Sequence, residues 1–201
     1  KLDTQRFTTI TTGDEAAAKE AVLHAVELGH TNLGFLIAVP AISGFTKTKP
    51  MIPITSVEER ADGFAAGVKA VKTVAKSTSW VYCEDLETIA EAAVRQMLDS
   101  QKPPSVILTS NNDMLLAVLK VAGERGLSIG KDLSVISFDD SPWAAAMKPG
   151  ITVVARPVEE LGSLAVKELV SNIEGKVKPK QIVLPAHLIK RGSVSRLRQG
   201  K

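Results

Sequence analysis

Short apolar runs alternate along this chain with longer segments whose apolar residues recur every three or four positions, and that alternation limits the open folds most. Leu33 to Ala38, Trp80 to Cys83, Ser105 to Thr109, the run ending at Phe138, and Ile151 to Val154 each read as a strand buried on both faces. Between them, Ala61, Phe64, Val68, Val71 and Ala75 mark one helix stripe. Ile89, Ala92, Ala93 and Met97 mark a second, and Leu115, Val118, Leu119 and Ala122 a third. Ahead of these, Phe7 to Ile10 is a weak strand candidate. Thr12-Gly13-Asp14-Glu15 then has the spacing of a capping box, opening a helix through Ala18, Ala21, Val22, Ala25 and Leu28. Near the other end, Pro157 opens a helix with Val158, Leu161, Ala165, Leu169 and Ile173 on one face. Gln181 to Pro185 and His187 to Lys190 read as closing strands. The alternation predicts an α/β fold: a mostly parallel sheet, helices on both faces, right-handed crossovers.

Composition removes several classes. A chain of 201 residues, 44% hydrophobic and 23% charged, suits one large globular domain or two small ones. Its net charge of +3 falls well short of a nucleic-acid footprint. The single cysteine, Cys83, excludes an internal disulfide framework and suits the cytoplasm. The longest apolar stretch, Leu33 to Val39, is too short to span a bilayer, so no membrane partner is expected. His24, His30 and His187 lack metal-ligand spacing, and there is no Gly-rich phosphate loop, nucleophile elbow or paired cysteine motif. No metal, cofactor or catalytic residue is expected; the chain reads as a binder rather than an enzyme.

In open α/β sheets, ligands gather at the carboxyl ends of the strands. Two strands here end in polar clusters, Ser110-Asn111-Asn112-Asp113 and Asp139-Asp140, and Arg60 follows a third through the long loop Pro40 to Ser56. Any one of Asn111, Asn112, Asp113 or Asp139 alone suits a cap or turn as well as a site. Arg60, in the first turn of its helix, opposes the helix dipole, which points to another task. Trp143 suits a core or rim position, and, lying just past Asp139, also a cover over a sugar face. Asp139 offers an ionised acceptor and Arg60 a planar fork of donors, a combination suited to a polyol.

Five segments carry a further signal: GDEAAAKEAVLHAVELGHTNLGFL, VEERADGF, PSVILTSNNDMLLAVLKVAGERGLSIGKDLSVISFDD, PGITVVARPVEELGSLAVKEL and LPAHLIKRGSV. As an ordered set they resemble the regulatory core of the LacI/GalR (lactose-repressor) family of bacterial transcription factors. The resemblance implies a type I periplasmic-binding-protein-like fold, with two α/β subdomains joined by three crossovers and an effector between them. It implies that residues 1–29 and 157–185 are a remnant of the amino-terminal subdomain, and 30–156 and 186–201 the carboxy-terminal subdomain. The first and last helices are then expected to present apolar stripes whose sheet is partly missing. Arg60, Asn111 and Asp139 match the family's effector-contacting positions, and Arg156 and Val158 the hinge side of the pocket. The sequence differs at Asn112, where aspartate is usual, at Ser137, where glycine is usual, and at Asp85 or Leu86, where an aromatic often stands.

The function so implied is effector binding in a cytoplasmic repressor or activator, sensing a small polar metabolite of the sugar class. The whole regulator would be a homodimer, and operator DNA its partner through a helix-turn-helix head. That head and the first half of the amino-terminal subdomain are not in this sequence. The alternative is a periplasmic sugar-binding protein feeding a transporter. What precedes Lys1 separates the two: a helix-turn-helix in one case, a cleavable signal peptide in the other.

Overall fold

A computed structural model of the chain describes residues 7–40, 42–71, 78–84, 86–175 and 178–197. In chain order its elements are β1 (Thr9–Thr12), α1 (Asp14–Glu27), β2 (Leu33–Ala38), β3 (Phe45–Thr46), α2 (Thr55–Ala70), β4 (Ser79–Cys83), α3 (Glu87–Leu98) and β5 (Val106–Thr109). There follow α4 (Asn112–Glu124), β6 (Ser134–Phe138), α5 (Pro142–Ala146), β7 (Thr152–Ala155), α6 (Val158–Ile173), β8 (Gln181–Leu184) and β9 (His187–Ile189). Seven strands form a large sheet in the order β3-β4-β2-β5-β6-β7-β9. Its five central strands are parallel, and the short edge strands β3 and β9 run antiparallel. β1 and β8 pair in parallel as a separate two-stranded sheet. The alternation of strands and helices thus gives the expected fold class, with the chain passing between the sheets at 12–14, 155–158 and 184–187.

The large sheet is covered on both sides. Phe35, Phe64, Phe138 and Val154 pack with Ala18 and Val22 in one core. Val81, Met97, Val118 and Val135 pack in the other. A sheet with two apolar faces needs β-branched and aliphatic residues at successive positions, which is why β2 and β6 are buried throughout.

Several expectations change. Although α1 was assigned with the smaller unit, Ala17, Ala18, Ala21, Val22 and Ala25 are buried in the large-sheet core beside α2. The approach is close because α2 offers Gly63 and Gly67. A Cβ on Gly63 would lie 2.1 Å from the Glu15 carbonyl oxygen, and one on Gly67 2.7 Å from Val22 Cβ. α6, by contrast, presents its apolar stripe as expected: it buries only Glu168 among its residues, and Val158, Leu169 and Ile173 are exposed. Its neighbour is a two-stranded sheet, too narrow to cover a 16-residue helix. On α3 the buried line runs through Ala90, Ala93, Val94 and Met97, leaving Ala92 exposed. The expected capping box is absent: Gly13 caps α1 with no side-chain bond, and the Thr12 hydroxyl is engaged elsewhere. Ala75 and Asp85, both named above, lie outside the described residues.

Candidate functional site

The carboxyl ends of β5, β6 and β7 meet at Ser110, Asp139 and Arg156. α2 delivers Arg60 to the same place. The helix begins at Thr55, so Arg60 stands in its second turn rather than its first, where the dipole penalty has already faded. Burial explains the position better. Only 4% of Arg60 is exposed, yet it carries a full charge, so its donors must be matched. Its Nε donates to Asp14 Oδ2 at 2.7 Å, one Nη donates to the Ser110 carbonyl, and the guanidinium carbon sits 4.4 Å from the Phe138 ring centre. Stacking on an aromatic face adds a cation–π attraction of about 0.5–2 kcal/mol.

Asp139 follows Phe138 directly and has φ of 70°, the one positive φ on a non-glycine among the described residues. Left-handed backbone costs an L-residue roughly 1–2 kcal/mol, a strain that persists where surrounding structure imposes it and that clusters at functional sites. Here the Asp139 amide donates to Val154 O at 3.0 Å, while its Oδ1 accepts from Arg156 Nε at 2.6 Å. The second carboxylate oxygen remains available as an acceptor. The neighbouring Asp140 turns away to receive both Nη atoms of Arg191 at 2.9 and 2.8 Å, which hold its carboxyl below the usual range. The two adjacent aspartates therefore take separate partners, the left-handed turn at Asp139 having carried the chain out of the strand.

Asn111 serves as the helix cap, its Oδ1 accepting from the Met114 amide at 2.9 Å, so its amide nitrogen is the part left to meet a ligand. Ser137 accepts from Thr109 Oγ1 at 2.9 Å and binds the ends of β5 and β6 together. Two more polar atoms nearby, Asn112 Oδ1 and Ser141 Oγ, are shielded from solvent without a protein partner. Of the five residues expected at the site, Arg60, Asn111, Asp139 and Arg156 are thus joined through β5 and β6. Trp143 is not: about a third exposed on the five-residue α5, it makes no hydrogen bond or ring contact with the other four among the described residues. Lys49, on the long loop, pairs with Asp62 at 3.0 Å on the surface.

One residue escaped the sequence reading. Asp14 is fully buried, with Oδ1 accepting from Thr12 Oγ1 at 2.5 Å and Oδ2 from Arg60. Its signal was present but shared, because an acid opening a helix is also an ordinary dipole partner. Beside it, burial and the Asp14 charge push the Glu59 carboxyl above its usual range. Two concavities among the described residues lie by the small sheet, one of about 430 Å³ lined in part by Thr12, Asp14 and Glu59, another of about 360 Å³ by Phe7, Leu161 and Leu169. No cluster of metal-ligating side chains occurs among the described residues, and none of their helices is long and apolar enough to cross a membrane.

Comparison with known proteins fits this architecture. The model of the periplasmic binding protein-like domain matches residues 22–194. The chain is 33% identical to a probable opine utilization operon repressor of Rhizobium rhizogenes, over 92% of each chain. It is 30% identical to the HTH-type transcriptional regulator MalR of Streptomyces coelicolor, over 92% of this chain and 52% of that one. It spans about half the length of the other curated relatives as well. A LacI family transcriptional regulator from Enterococcus faecium, solved with bound ribose, has the same fold, with a TM-score of 0.83 at 21% identity. That superposition covers 98% of this chain and 68% of the other. The chain belongs to the periplasmic binding protein-like domain family, in the branch that forms the core of LacI-type transcriptional regulators.

Proposed function

We propose that the chain is the effector-binding region of a bacterial transcriptional regulator and that its effector is a small polyhydroxylated metabolite, a sugar or sugar derivative. The observation that carries this reading is the strained Asp139 at the end of β6, one carboxylate oxygen tied to Arg156, beside the Arg60 guanidinium stacked on Phe138. An ionised acceptor next to a fixed donor fork matches vicinal hydroxyls, and the Asn111 amide adds a donor. Trp143 is proposed to close over the ligand by moving α5, since it stands apart in this arrangement. The reading needs no catalytic group. The relatives being regulators supports it over a periplasmic carrier. The whole regulator is proposed to act in the cytoplasm as a homodimer on two half-sites, reading operator DNA through a head outside this chain.

Titration calorimetry against ribose, other common sugars and an opine tests the reading. At least one should bind, and Asp139→Asn should weaken it about ten- to a hundredfold, the range for losing a charge-assisted contact. Failure of every compound, or equal affinity in the folded variant, removes the crevice as the site.

A further inference from the structure

We infer that the cavity between α6 and the β1 segment is a binding site for a small organic cation, an amine carried on an apolar body. The cavity, about 360 Å³, is walled in part by Phe7, Ile10, Leu161, Ala165, Leu169 and Glu168, none of which belongs to the crevice at the ends of β5 and β6. Its volume falls within the range of small-molecule sites, and so does its chemistry, a mainly apolar wall with one placed charge.

The burial pattern of α6 is inverted. An amphipathic helix hides its apolar residues and exposes its acids, whereas α6 buries Glu168, 8% exposed, and leaves Val166, Leu169 and Val170 in solvent. Glutamate is almost never buried so far unless it is paired. Glu168 is paired on one side only: Oε1 meets Lys180 Nζ at 2.9 Å, while Oε2 is shielded from solvent with no protein donor among the described residues. An ionised carboxylate accepts on both oxygens, so one oxygen bare of donors in the interior is costly. Lys180 does not mend this, being 47% exposed and held to the other oxygen. An ammonium group brings what Oε2 lacks, N–H donors together with the compensating charge. The terminal torsion of a glutamate is soft, so the oxygen turns toward a ligand without moving the helix. A hydrocarbon or aromatic body attached to the amine then covers Phe7 and Leu169, both well exposed, and removes that surface from water. A neutral alcohol supplies a donor but no charge, and a carboxylate is repelled. The site therefore selects by sign of charge first and by apolar fit second.

Nuclear magnetic resonance of the whole chain, titrated with phenethylamine, 2-phenylethanol and phenylacetate, tests the inference. Phenethylamine should give saturable shifts of the Ile10, Ala165 and Leu169 amides at roughly millimolar concentration, binding about tenfold tighter than the alcohol, and phenylacetate should give none. Glu168→Gln should erase the preference for amine over alcohol. Lys180→Ala, which frees Oε1 of its competing cation, should tighten amine binding about severalfold. Lys180 lies at the surface, so this variant keeps the test decisive if Glu168→Gln does not fold. No saturable shift, equal affinity for amine and alcohol, or a preference that survives Glu168→Gln overturns the inference, and so does amine binding that is unchanged or weaker in Lys180→Ala. Shifts of the same amides on raising the protein concentration without amine also overturn it, because a second copy then covers the cavity wall.

Discussion

Gly63→Ala sets two effects of known sign against each other. Alanine in a helix interior is favoured over glycine by about 1 kcal/mol, so α2 taken alone would gain. In place, the new Cβ would lie 2.1 Å from the Glu15 carbonyl oxygen and 2.8 Å from Ala18 Cβ. The nearer obstacle is backbone, so no rotamer relieves it; α1 and α2 must part by roughly 1 Å, and overpacking of that kind costs about 1–3 kcal/mol. The opened seam also loses contact across Ala18, Ala21 and Val22, which are fully buried there. A net loss of about 1–2 kcal/mol follows. Gly123→Ala, in α4, supplies the control, because nothing stands within 4 Å of its Cβ position and the propensity gain of up to about 1 kcal/mol should survive. In urea unfolding the two variants should move to opposite sides of the wild type, about 1–3 kcal/mol apart. Stabilities within 0.5 kcal/mol of each other, as an order of resolution, would refute the close-packing account. The same variant should loosen Asp14 from Arg60, since α1 carries the carboxylate.

Two further outcomes are expected. Burial holds the His30 imidazole below its usual 6.5, with Nε2 facing Ser195 O at 3.0 Å and Nδ1 facing Ser105 Oγ at 2.9 Å. The unfolded chain then binds a proton more readily than the folded one, so stability is full above pH 6.5 and falls as the pH drops below it. Urea midpoints taken from pH 7.5 to 5.5 should show that slope, and His30→Gln should flatten it without abolishing it, because His24 is shifted the same way; an unaltered slope in the variant counts against His30. The exposed Val166, Leu169, Val170 and Ile173 of α6 should bind an apolar-surface dye. Leu169→Glu with Ile173→Glu should cut that fluorescence severalfold while the main unfolding midpoint stays put, and a wild type that binds no dye would contradict the exposure.

What the sequence disclosed depended on how many neighbours a residue needs to explain it. β2 runs from Leu33 to Ala38 as expected, since a strand buried on both faces shows itself in its own composition. Arg60 was conspicuous as an arginine set against the helix dipole, although it stands in the second turn of α2, where burial rather than the dipole accounts for its contacts. Asp14 was not, because Thr-Gly-Asp-Glu satisfies a local motif and the tertiary partner lies 46 positions away. α6 shows a different division: periodicity identifies its apolar face, while only the resemblance led to the expectation that part of its sheet would be missing. On α3 alanines occupy several faces, so the line through Ala90 and Val94 could not be told from one through Ala92.

The small sheet pairs Thr9 with Gln181, so almost the entire chain separates its two strands. During synthesis β1 leaves the ribosome before β8, and the edge that β8 will cover waits roughly ten seconds or more at 5–20 residues per second. Thr9 to Thr12 supply few large apolar side chains to that edge, and the threonines limit its capacity to recruit a neighbouring nascent strand during the wait. Polarity in β1, costly to a finished core, protects the newborn chain.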